Sequence, residues 1–231
     1  MSNLKENSFR FDGYEKYLYT GIQGFIMNQN HRILSKNTPS NLNKKILDIG
    51  GGAKPHLSII NLNEVSEYWV SDSHQVFKNN SLEKIKIKKH VYEDDPNYEY
   101  FHKNNIKFTR IIASHVWEHV NDPEEELLKW ASLLEENGQL DIAIPCDPGW
   151  AWRIGQLIGR KKAMKTYKMT SEAIDLMMTR EHINPCQNLV RIMKFYTQSK
   201  AKFFPFYIPF IDVNLIIFYR LKKDDFIQTK I

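Results

Sequence analysis

A short apolar segment that runs into three consecutive glycines constrains the fold of this chain more than any other feature. Residues 45–49 (Lys-Ile-Leu-Asp-Ile) predict a buried strand, and Gly50, Gly51 and Gly52 end it abruptly. Glycine reaches backbone angles that other residues avoid and carries no side chain, so a ligand can lie directly against such a loop. Asp48 adds a carboxylate at the lip that can hold a cationic or hydroxyl-bearing group. The sequence therefore predicts a ligand site above the carboxyl end of a central strand.

Apolar strands alternate with helical patterns from residue 45 to residue 145, which indicates a parallel sheet with helices on both faces. The predicted strands span residues 45–49, 67–72, 85–91, 106–113 and 139–145, followed by a pair at 203–207 and 212–221. Helices are predicted at residues 14–34, broken near Gly21 and Gly24, and at 55–62, 171–180 and 188–196. Asp122, Pro123 and Glu125 form a strong helix start, and this helix is expected to stop at Gly138.

Two groups of residues resemble the class I S-adenosylmethionine-dependent methyltransferases, in particular those labelled type 11. The first is Asp48-Ile49-Gly50-Gly51-Gly52, which matches the motif Asp-x-Gly-x-Gly. The second begins at Ala113-Ser114-His115-Val116, continues through Glu118-His119-Val120 and Asp122-Pro123, and ends with a leucine-rich helix and the sequence Asn-Gly-x-Leu-x-Ile-x-x-Pro. Both occur in the order that the family shows.

The resemblance implies an α/β fold: a seven-stranded, mostly parallel Rossmann-like sheet whose last strand is antiparallel, with helices on both faces. It also implies a helical cap after strand five. We expect a single domain with an N-terminal helical segment (1–44), a cofactor-binding core (45–146), a substrate cap (147–200) and a C-terminal strand hairpin (201–231).

The resemblance further implies an S-adenosylmethionine site. Asp48, Gly50 and Gly52 are expected to hold its methionine end. An acid 20 residues after Gly52, Asp72, is spaced to accept hydrogen bonds from both ribose hydroxyls. The family places a polar residue near the adenine, for which Asp94 is the candidate. Ser114 and His115 would form the cleft floor, and Tyr14 and Tyr17 are candidates for a lid.

Methyl transfer needs alignment of nucleophile, methyl and sulfur, and a general base where the acceptor is a hydroxyl or ammonium. His119 and His182 are the predicted bases, with His119 first because it follows strand four. Four further residues in the cap are predicted to contact the acceptor. Their tryptophan and arginine side chains suit a saccharide or a nucleotide-linked acceptor. These are Trp152, Arg153, Arg180 and Asn184.

Other functions remain open at this point. Residues 115–119 spell His-x-x-Glu-His, a zinc-protease pattern, but the Asp122-Pro123 helix start leaves no room for the long helix it needs, so no metal is expected. An NAD-dependent oxidoreductase would share Gly50, Gly52 and Asp72, although Pro55 replaces the third glycine of that fingerprint. A non-catalytic cofactor-binding protein with the same fold is the third alternative.

Net charge, apolar segments and cysteine content limit the classes of partner and the location expected for the protein. The net charge of +5, from 32 basic and 27 acidic residues, is too small to indicate nucleic-acid binding but fits an anionic substrate or peripheral contact with a membrane surface. No apolar leader and no uninterrupted membrane-spanning segment is recognised, and Cys146 and Cys186 form no pattern, so a cytoplasmic protein with free thiols is expected. The sequence leaves the oligomeric state and the role of the basic stretch 160–168 open.

Overall fold

The computed structural model describes residues 19–36, 38, 40–52, 55–79 and 87–227, apart from the side chains at 40, 43, 58, 62, 75, 78 and 79. Tyr14 and Tyr17, the expected lid residues, and the start of the predicted third strand at residues 85 and 86 lie outside this part of the chain. No helix within the described ranges combines the length and the apolar character needed to cross a membrane.

Seven strands form one sheet in the order β3-β2-β1-β4-β5-β7-β6. Strands β1 to β5 run parallel to one another, β7 is antiparallel to β5, and β6 is antiparallel to β7. The strands are β1 (Lys45–Ile49), β2 (Glu67–Asp72), β3 (Lys88–Val91), β4 (Phe108–Ser114), β5 (Leu134–Pro145), β6 (Lys202–Phe204) and β7 (Ile216–Lys222). This mostly parallel sheet, with its antiparallel final strand, confirms the predicted fold class.

The helices of the described residues lie between and beside these strands. They are α1 (Gly21–Ser35), α2 (His74–Asn79), α3 (Glu99–Lys103), α4 (Pro123–Ser132), α5 (Trp150–Tyr167), α6 (Ser171–Glu181) and α7 (Cys186–Tyr196). Short 3₁₀ turns occupy Ser40–Asn43, His56–Ile59, Leu62–Glu64, Trp117–His119, Ile211–Val213 and Lys223–Asp225. The strand-to-helix crossovers leave the carboxyl ends of β1, β2 and β4 at one edge of the sheet, where the site lies.

Alternate residues of the strands face two separate apolar cores. On one face Leu47, Ile111 and Ile142 pack with residues of α3, α4 and α7. On the other face Ile46 and Ile112 pack with residues of α1 and of the His56–Ile59 turn. Because side chains alternate along a strand, burial on both faces requires the continuous apolar runs that the sequence shows.

Several predicted elements differ from the structure. The helix expected at residues 55–62 is replaced by two 3₁₀ turns, His56–Ile59 and Leu62–Glu64. Helix α4 ends at Ser132 rather than at Gly138, because Leu134 pairs with Phe108 in the sheet and is almost fully buried there. Gly24 does not break α1: a Cβ at this position would lie 2.4 Å from the backbone of Tyr19, so glycine allows a close contact. The segment from Trp150 to Tyr167, which was not predicted as an element, is one continuous helix.

Candidate functional site

The loop after β1 is built for close backbone approach. Gly50 and Gly52 have φ values of 64° and 52°, a conformation that favours glycine, and a Cβ at Gly50 would lie only 2.2 Å from Val116 Cγ2. The amide of Gly50 donates to the carbonyl of Ser71 on β2 at 2.8 Å. The loop is therefore held tightly against the neighbouring strand, and the missing side chain at Gly50 leaves room for Val116.

Asp48 lies beneath this loop and not at an exposed lip, because its side chain is only 2% exposed. Its Oδ2 accepts hydrogen bonds from the Tyr68 hydroxyl at 2.6 Å and from the His56 backbone N–H at 2.7 Å. Burial nevertheless raises the pKa of Asp48 to about 6. The carboxylate thus supports the loop from below, which corrects the expected position of this side chain.

Asp72 ends β2 beside the glycine loop. Its Oδ2 accepts from the Gly52 N–H at 2.7 Å and its Oδ1 accepts from the Ser73 N–H at 2.7 Å. Burial raises its pKa, even though both hydrogen bonds oppose this. Asp94, in contrast, is exposed and forms an ion pair with His74 at 2.8 Å. The half-buried Asp72 is in position to contact a ligand on the loop, while Asp94 lies at the surface.

The end of β4 contributes Ser114 and His115. Ser114 Oγ accepts a 2.6 Å hydrogen bond from Asn30 Nδ2 on α1, and Asn30 is fully buried with its Oδ1 lacking a partner within the described ranges. His115 has a φ of 56°, which is uncommon for a residue with a Cβ and is often found at functional sites. Helix α1 therefore delivers an unsatisfied amide to the same edge of the sheet.

A histidine–carboxylate cluster follows directly. It consists of His115, Glu118 and His119 from the turn after β4, Asp147 from the turn after β5 and His182 from the end of α6. Glu118 is 2% exposed, and the rings of His119 and His182 are 4.9 Å apart. His182 Nδ1 donates to Asp147 Oδ2 at 2.8 Å, and His119 Nδ1 donates to the backbone carbonyl of Glu181 at 2.7 Å. The two histidines predicted separately as bases thus lie side by side.

Charge in the cluster shifts two pKa values. Burial favours neutral His182, but its hydrogen bond to Asp147 and the nearby charge of Glu118 outweigh burial and raise the pKa of His182. Burial likewise favours protonated Glu118, but His115 and His119 hold the pKa of Glu118 below its usual range. The cluster is a tightly coupled group of acids and bases beside the carboxyl ends of β4 and β5.

The family follows from a comparison with models of known protein families. Residues 22–188 match the model described as "Methyltransferase domain", which is more than half of the chain. The chain belongs to this family. It is a class I S-adenosylmethionine-dependent methyltransferase, as the glycine loop and the sheet order also indicate. This identification sets aside the oxidoreductase alternative.

Solved structures share the fold of this methyltransferase at low sequence identity. The CurJ carbon methyltransferase has a TM-score of 0.56 and 15% identity, covering 89% of this chain and 56% of its own. The N-methyltransferase NodS from Bradyrhizobium japonicum has a TM-score of 0.53 and 10% identity, covering 91% and 98%. The plantazolicin methyltransferase BpumL has a TM-score of 0.53 and 15% identity, covering 85% and 80%. A search of curated proteins found no match.

The residues predicted to contact the acceptor separate into two groups. Trp152 stacks on His182 with ring centroids 6.0 Å apart, and its indole Nε1 is buried without a partner in the part of the chain described. Asn184 Nδ2 donates to the Val120 carbonyl at 2.6 Å and so ties the cap to the turn after β4. Arg153 and Arg180 are exposed. Only Trp152 of these four adds an unsatisfied polar atom to the cluster of the methyltransferase.

Sequence reasoning missed Asn30, Glu118, Asp147 and the carbonyl of Glu181. Asn30 and Asp147 carry no local motif, and their partners Ser114 and His182 are 84 and 35 residues away. Glu118 did carry a signal, since it lies within His-x-x-Glu-His. The predicted absence of a long helix there is correct, because only the 3₁₀ turn Trp117–His119 forms, but that turn still directs Glu118 and His119 to His182.

Proposed function

We propose that the protein transfers a methyl group from S-adenosylmethionine to an oxygen or nitrogen of a small acceptor, with a saccharide as the first candidate. One observation carries this proposal: the glycine loop and the histidine cluster lie at the same edge of one sheet, next to β1 and β4. A cofactor on the loop and an acceptor on the cluster would therefore meet above β4.

The residues at the loop fit the cofactor. The bare backbone of Gly50, Gly51 and Gly52 offers a close contact surface, and Asp72 offers a carboxylate for the ribose hydroxyls. The unpartnered Asn30 Oδ1 is an additional acceptor at the cleft floor beside Ser114. When bound, S-adenosylmethionine supplies an electrophilic methyl group on a sulfonium.

The histidines are suited to take a proton from the acceptor. The Asp147 carboxylate and the Glu181 carbonyl can only accept hydrogen bonds, so His182 and His119 both carry their proton on Nδ1 when neutral. Each Nε2 then presents a lone pair, as a general base requires. The indole Nε1 of Trp152, buried and without a partner in the described residues, can donate a hydrogen bond to a sugar oxygen.

Titration calorimetry tests the cofactor assignment. S-adenosylhomocysteine is expected to bind in a 1:1 ratio and NAD not to bind. Asp72→Ala is expected to lower the affinity for S-adenosylhomocysteine by about 10- to 100-fold, because hydrogen bonds to a charged group contribute about 1.5–3 kcal/mol. Glu99→Ala, which removes an exposed carboxylate on α3, is the matched control and is expected to bind like the parent. Unchanged binding by the Asp72 variant would refute the ribose assignment.

The acceptor is identified by turnover. Transfer of label from S-adenosylmethionine to candidate sugars, nucleotide sugars and amines is expected to occur for one of these classes. Loss of turnover in His119→Ala or His182→Ala, with S-adenosylhomocysteine binding retained, would support their role at the acceptor. A protein that binds cofactor but transfers label to none of these classes would contradict the proposed acceptor range.

A further inference from the structure

We propose that Glu118, His119 and His182 form a binding site for a divalent transition-metal ion. Ligand atoms from these three residues all lie within 4.8 Å of one another. Zinc binds nitrogen and oxygen ligands at about 2.0–2.2 Å, which places them about 3.4 Å apart in a tetrahedral site. Small side-chain rotations therefore suffice to close the site around an ion.

The strongest evidence is the environment of Glu118. Its carboxylate is 2% exposed, and neither oxygen has a hydrogen-bond partner in the described residues. The closest nitrogens, His115 Nδ1 and His119 Nε2, are both 3.6 Å from Oε1, which is too far for a hydrogen bond. His115 and His119 offset part of the cost of burying this charge, and a cation held by the cluster would give the carboxylate the direct contact that separations of 3.6 Å leave out.

The two histidines are prepared as ligands. Each donates from Nδ1, one to a carboxylate and one to a backbone carbonyl, which leaves Nε2 as the free ligand atom of the neutral ring. Outer contacts of this kind fix the tautomer and orientation of metal-binding histidines in proteins. Two imidazoles and one carboxylate favour Zn²⁺ or Fe²⁺ over Mg²⁺ or Ca²⁺, because the latter prefer oxygen ligands.

Such a site deepens the proposed function, and this step rests on it. With an ion bound, His119 and His182 would serve as its ligands instead of as bases: the cation would withdraw electron density from an acceptor hydroxyl, which would release its proton to water. The oxygen lone pair then forms the bond to the methyl carbon, and the electron pair of the carbon–sulfur bond remains on sulfur. The acceptor class would accordingly be a hydroxyl compound.

Calorimetry on tag-free, chelator-treated protein without cofactor tests the site. We expect ZnCl₂ and CoCl₂ to bind in a 1:1 ratio, Co²⁺ to give visible bands of a low-coordinate site, and MgCl₂ not to bind. Glu118→Gln and His182→Ala are each expected to lower the affinity for Zn²⁺ at least 100-fold. Asp147→Asn is expected to lower it about 10-fold. His74→Ala removes an exposed histidine that also pairs with an aspartate and is expected to bind as the parent does.

Absence of stoichiometric Zn²⁺ and Co²⁺ binding, or equal binding by Glu118→Gln and the parent, would overturn the metal site. Binding of S-adenosylhomocysteine is measured in parallel on every variant. A variant that keeps this binding is folded, so a loss of metal affinity then reports on the cluster. Failure of S-adenosylhomocysteine binding in the parent would instead contradict the proposed function and leave the metal result to be judged separately.

A second surface carries an independent inference. One face of α5 exposes four large apolar side chains, followed on the same face by exposed lysines. They are Trp150, Ile154, Leu157 and Ile158, with exposures of 71%, 53%, 64% and 64%, and then Lys161 and Lys165, while the exposed Lys168 directly follows the end of the helix. The spacing of three, four and seven residues places them in one stripe.

A neighbouring loop extends this apolar surface. Phe206, Tyr207, Ile208 and Phe210 are 54–66% exposed. The loop continues into Ile211 and Asp212, which contact Gly149 at the start of α5. Soluble proteins rarely expose apolar patches of this kind without a partner.

We infer that this face, defined by the exposed residues of α5 and of the loop 206–210, docks on an anionic lipid surface. Apolar and aromatic anchors beside a row of lysines are the combination that interfacial helices use, with the lysines at the level of the anionic headgroups. The net charge of +5 acts in the same direction.

Flotation with vesicles tests this inference. The protein is expected to bind phosphatidylcholine vesicles containing 30% phosphatidylglycerol and to dissociate at high salt. Leu157→Ser/Ile158→Ser and Lys161→Glu/Lys165→Glu are each expected to reduce the bound fraction at least fivefold. Lys194→Glu, an exposed lysine on α7, is the control. Equal binding to neutral vesicles, no binding, or a dimer in gel filtration that the serine variant abolishes would overturn the lipid assignment.

Discussion

Asp48 links the floor of the cofactor loop to the pH dependence of folding. The unfolded chain ionises this carboxyl with a pKa near 3.8, whereas burial raises the pKa of the folded state to about 6. The folded state therefore binds the proton more tightly between these values, and its free energy of unfolding falls as pH rises from about 4 to about 6. A shift of this size corresponds to about 3 kcal/mol.

Asp48→Asn is expected to remove this dependence. Asparagine cannot ionise, but its side-chain oxygen can still accept from Tyr68 and from the His56 N–H. Urea unfolding followed by tryptophan fluorescence, in half-unit steps from pH 4 to pH 6, is expected to show the parent losing about 1–3 kcal/mol relative to the variant. Glu99→Gln, at an exposed ion pair, is expected to keep the slope of the parent. Parallel profiles of Asp48→Asn and the parent would contradict the raised pKa.

Individual residues of the candidate site could be predicted where a local sequence motif contains them. Gly50, Gly52 and Asp72 were expected from the glycine motif and its spacing to the next acid, and the structure joins the Gly52 N–H to the Asp72 carboxylate. Asn30 and Asp147 could not be found in this way, because each becomes part of the site only through a partner that the fold brings near. A single sequence has no local pattern that records such a long-range contact.

At the scale of elements, the buried strands were the most predictable. The predicted and observed limits of β1 and β2 coincide, because both are short segments with an apolar centre that are followed by glycine or a polar residue. The boundary between α4 and β5 was missed, because Leu133 and Leu134 suit a helix and a strand equally. The pairing of Leu134 with Phe108 places Leu134 in the strand. Tertiary packing outweighs local propensity at such a boundary.

The cap is less predictable because its own core is small. Ala163, Tyr167 and Ile174 form a cluster of α5 and α6 that is separate from the two cores of the sheet. Basic residues and the exposed apolar stripe of α5 obscure the helical period on which a sequence prediction depends. Helix α5, which carries Trp152, is thus the cap element with the weakest sequence signal, whereas the helix predicted at 171–180 matches α6 to within one residue.

For the whole molecule, the division into sheet cores and a cap core predicts unequal stability. Backbone amides of α5 and α6 are expected to exchange with solvent deuterium after local opening. The free energy of this opening is expected to be about 2–3 kcal/mol lower than for β1, β4 and β5, because fewer buried apolar contacts hold the two helices.

Asn184→Ala removes the 2.6 Å hydrogen bond to the Val120 carbonyl and is expected to speed exchange further at the end of α6, while exchange in the sheet is unchanged. Asn188→Ala, an exposed asparagine on α7, is the control. The measurement is hydrogen exchange followed by mass spectrometry on the full chain. Uniform protection across cap and sheet would show that the cap opens only with the sheet. The acceptor would then need a route to the site that does not depend on opening of the cap.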